Sequence, residues 1–473
     1  MKIKEGKKTY EKSEKFIIGC KAVSGVPVSD ISKSSGMSRV YVYEQKDAVE
    51  KYSKSLDEPA IDGKTIVVDK KFINMAILVL ALENSSSIEG IQRNLESLYD
   101  EHVSIGYISG VLNEAAVKAQ VFDDSISLEG IRQGANDEIF QGNTPILTGI
   151  DAETSYIYLL EEAADRKAET WEVYMADRQD HGLQLDVSLN DGAAGLISGI
   201  KKARPETEIQ RDTFHASYEI GKEFSKVERK AYSAIKEEND LKNRVQSGRS
   251  QQKTIEKLED AKQKAEVAIN NFDTIAILIT WLKELLGFSG YGLHDTTVLI
   301  EFILQELGKY RETYPGLVKE CEAIRKAMPS LLSFIGRLES KMELCAIELG
   351  IPPDAFRLMY QQLAFGIAST RYNDMEYEIV IMLMEKYDEA RREFQKVLDG
   401  TKKASSLVEN LNGRIRVYID MKRVVPTRFF VLLKVYFNTR RYKRSRIKER
   451  VGKSPLELLT GKPQPSFLEA LGY

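Results

Sequence analysis

Cysteine is scarce in this 473-residue sequence: Cys20, Cys321 and Cys345 stand far apart, at spacings that suit neither a disulfide framework nor a zinc ribbon. Four histidines add no ligand cluster. Long apolar runs are also missing, and no segment approaches the length of a membrane span. The basic opening MKIKEGKKTYEKSEKF lacks the apolar stretch of a secretory signal, so a soluble protein in a reducing, intracellular compartment is expected. Nor is there an overall excess of charge of either sign, the formal net charge being -3.

That near balance hides segregation. Residues 414 to 453 carry 14 Lys and Arg against Asp420 and Glu449, and residues 1 to 22 carry seven Lys against three Glu. The remainder is strongly acidic. Basic surfaces on an acidic body suit a polyanion, because phosphate contacts depend on local Lys/Arg density and not on the total. A solvated basic helix is the plainer alternative.

At this length several folded parts are expected, and the pattern reads as a multidomain α+β chain. Residues 1–60 read as a helix-turn-helix DNA-binding domain. In PVSDISKSSGMSRVYVYEQKDA, Ile31 and Val42 bury against each other, Gly36 turns the chain and Ser38 caps the second helix. Arg39, Tyr43, Gln45 and Lys46 would then face a major groove. Residues 61–130 read as a second helical DNA-binding domain, with helices over 87–98 and 104–118. An all-helical packing domain is the alternative there.

From Ala135 to Asp212 the pattern turns to short strands. DEIFQ, PILTGID and SYIYLLEE are followed by a helix over 168–180, the strand LDVSLN, a helix over 192–203 and the strand EIQRD. The order β-β-β-α-β-α-β is that of a ribonuclease-H-like α/β core, whose first part is assigned to residues 131–216. A large all-α insertion over 217–400 splits this core, opening as a helical hairpin broken at QSGRSQQ. Residues 401–473 hold the second part of the core and a basic C-terminal helical tail.

Three carboxylates stand out in that layout: Asp137 in ANDEIF, Asp191 in SLNDGAAGL and Glu409 in SSLVENLNGRIR. The first two end short extended segments and the third opens a helix. In-line displacement at phosphorus uses two divalent ions about 4 Å apart. Mg²⁺ or Mn²⁺ needs only a few oxygen ligands beside substrate phosphate. In this scheme Asp137 bridges both ions while Asp191 and Glu409 hold one each. Asp151 in TGIDAETS competes for the first position, but starting the fold there leaves it one strand short. Asp191 could instead cap its helix, and Glu409 could be a surface carboxylate.

These residues resemble the DDE transposases of bacterial insertion sequences, in the ribonuclease-H-like/retroviral-integrase superfamily. DEIF, LNDGAAGLISGI and SSLVENLNGRIR resemble the segments carrying that family's three acids, and FNTRRYKRSRIKERVGKSPLELLTGK resembles its C-terminal tail. The likeness covers about Asp137 to His215 and Ser405 to Lys462. It implies metal-dependent excision and integration of the encoding element. The implied partners are double-stranded DNA (terminal inverted repeats and target) and further copies of the chain, a homodimer or higher oligomer, in the bacterial cytoplasm and away from membranes.

Beside the trio, Asn412 and Arg416 fall on the face of Glu409 and could meet the scissile strand. His215 could touch phosphate, although a lone His beside Phe is more often structural. Arg440, Arg441, Lys443, Arg444 and Arg446 suit a backbone-tracking surface. Trp171 and Trp281 read as packing residues. Two further readings stay open: a structure-specific nuclease on the same fold, which would hydrolyse without joining, and a domesticated DNA-binding protein without catalysis.

Overall fold

A computed structural model describes residues 10–57, 67–248, 252–366, 369–422, 424–445 and 447–473. The chain divides into two compact units, Met1–Val68 and Asp69–Tyr473. In the first, α1 (Lys12–Val23), α2 (Val28–Ser35) and α3 (Arg39–Asp57) enclose a small core of Ile18, Ala22, Ile31, Met37 and Val42. Gly36 ends α2 in the left-handed conformation at φ +71°, and Ser38 Oγ accepts from Tyr41 N at 3.2 Å.

The second unit opens with α4 (Lys70–Leu82), α5 (Ile88–Tyr99) and α6 (Ile105–Asp124). Ser87 and Ser104 cap α5 and α6, each hydroxyl accepting a backbone N–H at 3.1 Å. Then come β1 (Gln133–Gln141), β2 (Thr144–Asp151), β3 (Ile157–Glu162), α7 (Ala168–Asp180), β4 (Val187–Asn190), α8 (Ala194–Ala203) and β5 (Glu208–Arg211). The chain order is the one expected from the sequence. In space the sheet runs β3-β2-β1-β4-β5, with β1 antiparallel to β2 and parallel to β4, and β4 parallel to β5.

One face of the sheet carries α7 and α8, with Trp171, Met175, Leu196 and Ile200 packed on Leu147, Tyr158 and Leu159. Helix α8 can approach because of its small residues: a Cβ on Gly199 would lie 2.3 Å from Trp171 Cβ. Against β1, β2 and β3 lie α17 (Ser406–Lys422) and α18 (Thr427–Thr439). Every residue of α18 from Phe429 to Thr439 is buried, because α6 covers the side away from β3. Lys434, fully enclosed there, is held by Asp123 Oδ2 at 2.6 Å.

Between β5 and α17 runs the helical block: α9 (Thr213–Gln246), α10 (Gln252–Leu285), α11 (Leu293–Gly308), α12 (Pro315–Leu331), α13 (Ser333–Leu349), α14 (Pro353–Phe365), α15 (Thr370–Leu383) and α16 (Tyr387–Gly400). Helices α9 and α10 form the expected hairpin. By length and composition α10 could cross a membrane, with a mean hydropathy of 1.2 in its most apolar window, contrary to the expectation that no run approaches a span. A core helix passes the same test, and Ile275, Leu278, Ile279 and Leu282 of α10 enter the core of this block. The block docks on β5 through Gln210, which receives Ser333 Oγ at 2.6 Å and donates to Leu331 O at 3.1 Å. After α18, α19 (Pro455–Thr460) and α20 (Phe467–Ala470) close the chain.

Candidate active site

Asp137 sits in the middle of β1, not at the end of a strand as its sequence setting suggested, because β1 begins four residues earlier to pair with β4. Successive strand side chains point to opposite faces. Asn136 therefore goes to the α7/α8 face, donating to Ser188 Oγ at 3.0 Å and accepting from Tyr158 OH at 2.6 Å. Asp137 goes to the α17 face.

Asp191 reaches the same level by register. Ala135 of β1 is opposite Leu189 of β4, so Asp137 and Asp191 each lie two residues beyond a paired position. Asp191 Oδ1 accepts from Ala193 N at 2.9 Å, fixing the turn into α8, which starts at Ala194 and not at Gly192 as expected. Gly192 is required there: its φ is +98°, and a Cβ would lie 2.3 Å from Arg211 Nε.

Glu409 occupies the first turn of α17 and is exposed. A buried carboxylate not assigned to the site, Asp212, brings that helix to the sheet. Its Oδ1 caps α9 by accepting from Phe214 N at 2.6 Å and His215 N at 3.3 Å, while Oδ2 accepts from Ser405 N at 3.0 Å and from Ser405 Oγ. Thr213 adds its N–H and hydroxyl to Lys403 O at 3.3 and 3.1 Å. One short clasp thus closes the two ends of the helical block. An Asp before a helix signals a cap, but its partner 193 residues away leaves no local trace.

Asn412, one turn beyond Glu409, is buried and donates to Asp137 Oδ2 at 2.6 Å. It turns inward to the carboxylate, and does not stand open to a strand. Burial first, then the like charges of Asp191, Glu138 and Glu409, push the Asp137 carboxyl up to about 7, against a Glu138 N–H that stabilises the anion. The Asn412 hydrogen bond sets α17 against β1, where the β1–β4 register brings Asp191 level with Asp137. Among the described residues no three His, Cys, Asp or Glu stand close enough to enclose a metal ion as they are. The available donors are oxygens, including a buried Asn412 Oδ1 with no hydrogen-bond partner among the described residues. That chemistry fits a hard divalent cation.

The remaining candidates are placed as follows. Asp151 closes the β2–β3 turn, its Oδ2 accepting from Thr154 N at 2.8 Å. His215, in the first turn of α9, lies 3.9 Å from Glu219 and lines a cleft with Asp191 and Arg211. Arg416 is exposed. Arg39 and Tyr43 are exposed, but Gln45 and Lys46, expected to be free for a groove, are half-buried because α1 crosses α3 at Gln45; Lys46 also lies 3.7 Å from Glu50. Arg440 and Arg441 are exposed yet paired with Glu83 and Glu457, whereas Lys443 and Arg444 have no ion pair among the described residues. Arg446 lies outside the described residues. Trp171 is core as expected, but Trp281, also expected to be core, is 50% exposed.

Residues 140–283 match a family model described as Transposase, in the ISL3 group of DDE enzymes. The match covers less than a third of the chain and includes Asp191, Asp212 and His215, but stops short of Asp137 and Glu409 at either side. It supports a transposase, an enzyme class that acts on DNA. Within that class it supports a DDE transposase of an insertion sequence. No curated protein matches the chain.

Proposed function

We propose that this chain cuts DNA at the ends of its own element and joins those ends to target DNA, with Asp137, Asp191 and Glu409 as the catalytic carboxylates. The observation that carries the reading is the Asn412–Asp137 hydrogen bond, which sets the helix of Glu409 against β1, where the strand register brings Asp191 level with Asp137. The strand order β3-β2-β1-β4-β5 supports a ribonuclease-H-like core split by the 217–400 insertion. The same reading assigns residues 1–60 and 61–130 to DNA-end recognition and implies a dimer or higher oligomer to hold two ends.

Asp137, Asp191 and Glu409 would hold Mg²⁺ or Mn²⁺, which when bound activates the attacking oxygen and neutralises the leaving one. The chain's own residues prepare that state. Asp137 gives up a proton that burial and neighbouring charge make easy to hold near neutral pH. Asn412 fixes the orientation of its carboxylate, and Asp212 fixes the start of the helix that carries Glu409. Arg416, exposed two turns beyond Glu409, offers a phosphate contact on the same face.

The test uses the full chain, Mg²⁺ and duplexes bearing the sequences that flank its coding region. Nicking at the ends and joining of pre-cleaved ends are expected from the native protein. Both should vanish in Asp137→Ala, Asp191→Ala and Glu409→Ala. Undiminished metal-dependent nicking by any of these variants overturns the assignment, and nicking without joining converts the reading to a hydrolytic nuclease.

A further inference from the structure

The basic C-terminal segment is not uniformly available. Arg441 grips Glu457 with both arms, at 3.1 and 2.8 Å, and Arg440 lies 3.5 Å from Glu83. Arg450 donates to Ser155 Oγ at 3.2 Å and to the Glu153 carbonyl. Lys443 and Arg444 are left exposed and unpaired among the described residues. They do not ride on a loose tail: Tyr442 N donates to Lys453 O and Gly452 N to Tyr442 O, both at 2.9 Å, so the loop is pinned at its base.

A third cation faces them from α17. Arg414 lies with its Cζ 4.6 Å from the centre of the Phe437 ring, and its buried Nε has no hydrogen-bond partner among the described residues. Burial first, with a further contribution from Arg440, draws this guanidinium below its ordinary value. Arg414, Tyr442, Lys443 and Arg444 line one cleft, whose wall also includes the paired Arg440 and Arg441. A largely buried guanidinium without an anion is costly, and five N–H groups in a rigid fork match phosphate oxygens.

We infer that this cleft binds a backbone phosphate of the DNA strand, with Arg414 as its inner donor and Lys443 and Arg444 as its outer ones. The inference rests on the proposed function only for the identity of the polyanion. Arg414 follows Glu409 by five residues, a rise of about 7.5 Å along α17 but about 140° around it. The contacted phosphate therefore belongs to the strand a few nucleotides from the reacting one, passing the flank of the helix.

The test measures binding of the full chain to a duplex oligonucleotide across a salt series in EDTA, where metal chemistry is silent. Arg414→Gln should reduce the slope of log Kd against log salt by about one, and Lys443→Gln/Arg444→Gln by about two. Arg311→Gln, which removes an exposed cation paired with Glu322 and absent from this cleft, should leave the slope unchanged. If Arg414→Gln fails to fold, the double variant decides, since both of its sites are exposed. Native slopes in the double variant or in folded Arg414→Gln overturn the inference even if the enzyme cuts DNA. Inorganic phosphate that stabilises the native protein but not Arg414→Gln, with DNA slopes unchanged, reassigns the cleft to free phosphate and also overturns it. Asp137→Ala should bind with the native slope, so loss of cutting there speaks only to the active site.

Discussion

The sheet region and the helical block between α9 and α16 are built from different kinds of interior. Around the sheet, Asn136, Ser188, Asn190, Asp212, Ser405 and Asn412 are buried and, for the most part, hydrogen-bonded to one another or to nearby backbone. From residue 217 to 400 the buried polar residues among those described are Thr296 and Gln362, and the core is aliphatic and aromatic. Apolar cores tolerate rearrangement as long as volume is kept, whereas a buried polar network holds only when each partner is in place. The difference ties side-chain positions more tightly around the sheet than in the helical block.

The largest expected effect is on the polar side: Asp137→Ala should lower DNA cutting by roughly 10³-fold or more while leaving the melting temperature unchanged or raised, since a crowded, half-buried carboxylate is removed. A melting temperature that falls with the activity would make Asp137 structural. Asp212→Ala should come next. Loss of a buried carboxylate that accepts four hydrogen bonds should cost about 3 kcal/mol in denaturant unfolding, and cutting should fall as α17 loses its anchor. Full activity at a temperature where this variant is folded would show that the clasp does not position Glu409.

A pH series sharpens the same contrast. Because folding raises the Asp137 carboxyl to about 7, the folded state holds its proton more tightly than the unfolded chain. Without metal, the native protein should therefore lose stability relative to Asp137→Asn as pH rises from about 4 to about 7, and no further above that. Mg²⁺ should reverse the loss. A pH-independent difference between the two proteins would remove the crowding argument. The smallest effect belongs to the apolar block: Ile303→Val should cost about 1 kcal/mol with cutting unchanged when folded. An activity loss there comparable with that of Asp212→Ala would erase the distinction between the two interiors.

Much of the layout was legible because it depends on short-range signals. The helix starts near 87 and 104, the glycine turn at 36 and the helix over 168–180 follow from neighbouring residues and stand in the structure where they were expected, although the helix from 104 runs on to Asp124, past the expected end at 118. The succession of strands and helices along the chain also followed, since alternation and turn residues mark each segment. Less legible was anything set by a distant partner. Gln45 and Trp281 carry no local mark of the surroundings they meet, and both differ from expectation for that reason. Among the basic residues, density was legible but pairing was not: Arg440 and Arg441 meet carboxylates, while Arg414, outside the densest run, has no ion pair among the described residues.

By itself, then, the chain's order of residues determined the elements and the three acids worth weighing, because periodicity, caps and turns act over a few positions. Only the tertiary structure decided how the segments that carry them meet. That outcome rests on the β1–β4 register, which levels Asp137 with Asp191, and on Asp212 and Asn412, which draw α17 across the sheet through hydrogen bonds spanning 193 and 275 residues. Contacts at such separations are energetic facts of the folded chain, and no local pattern encodes them.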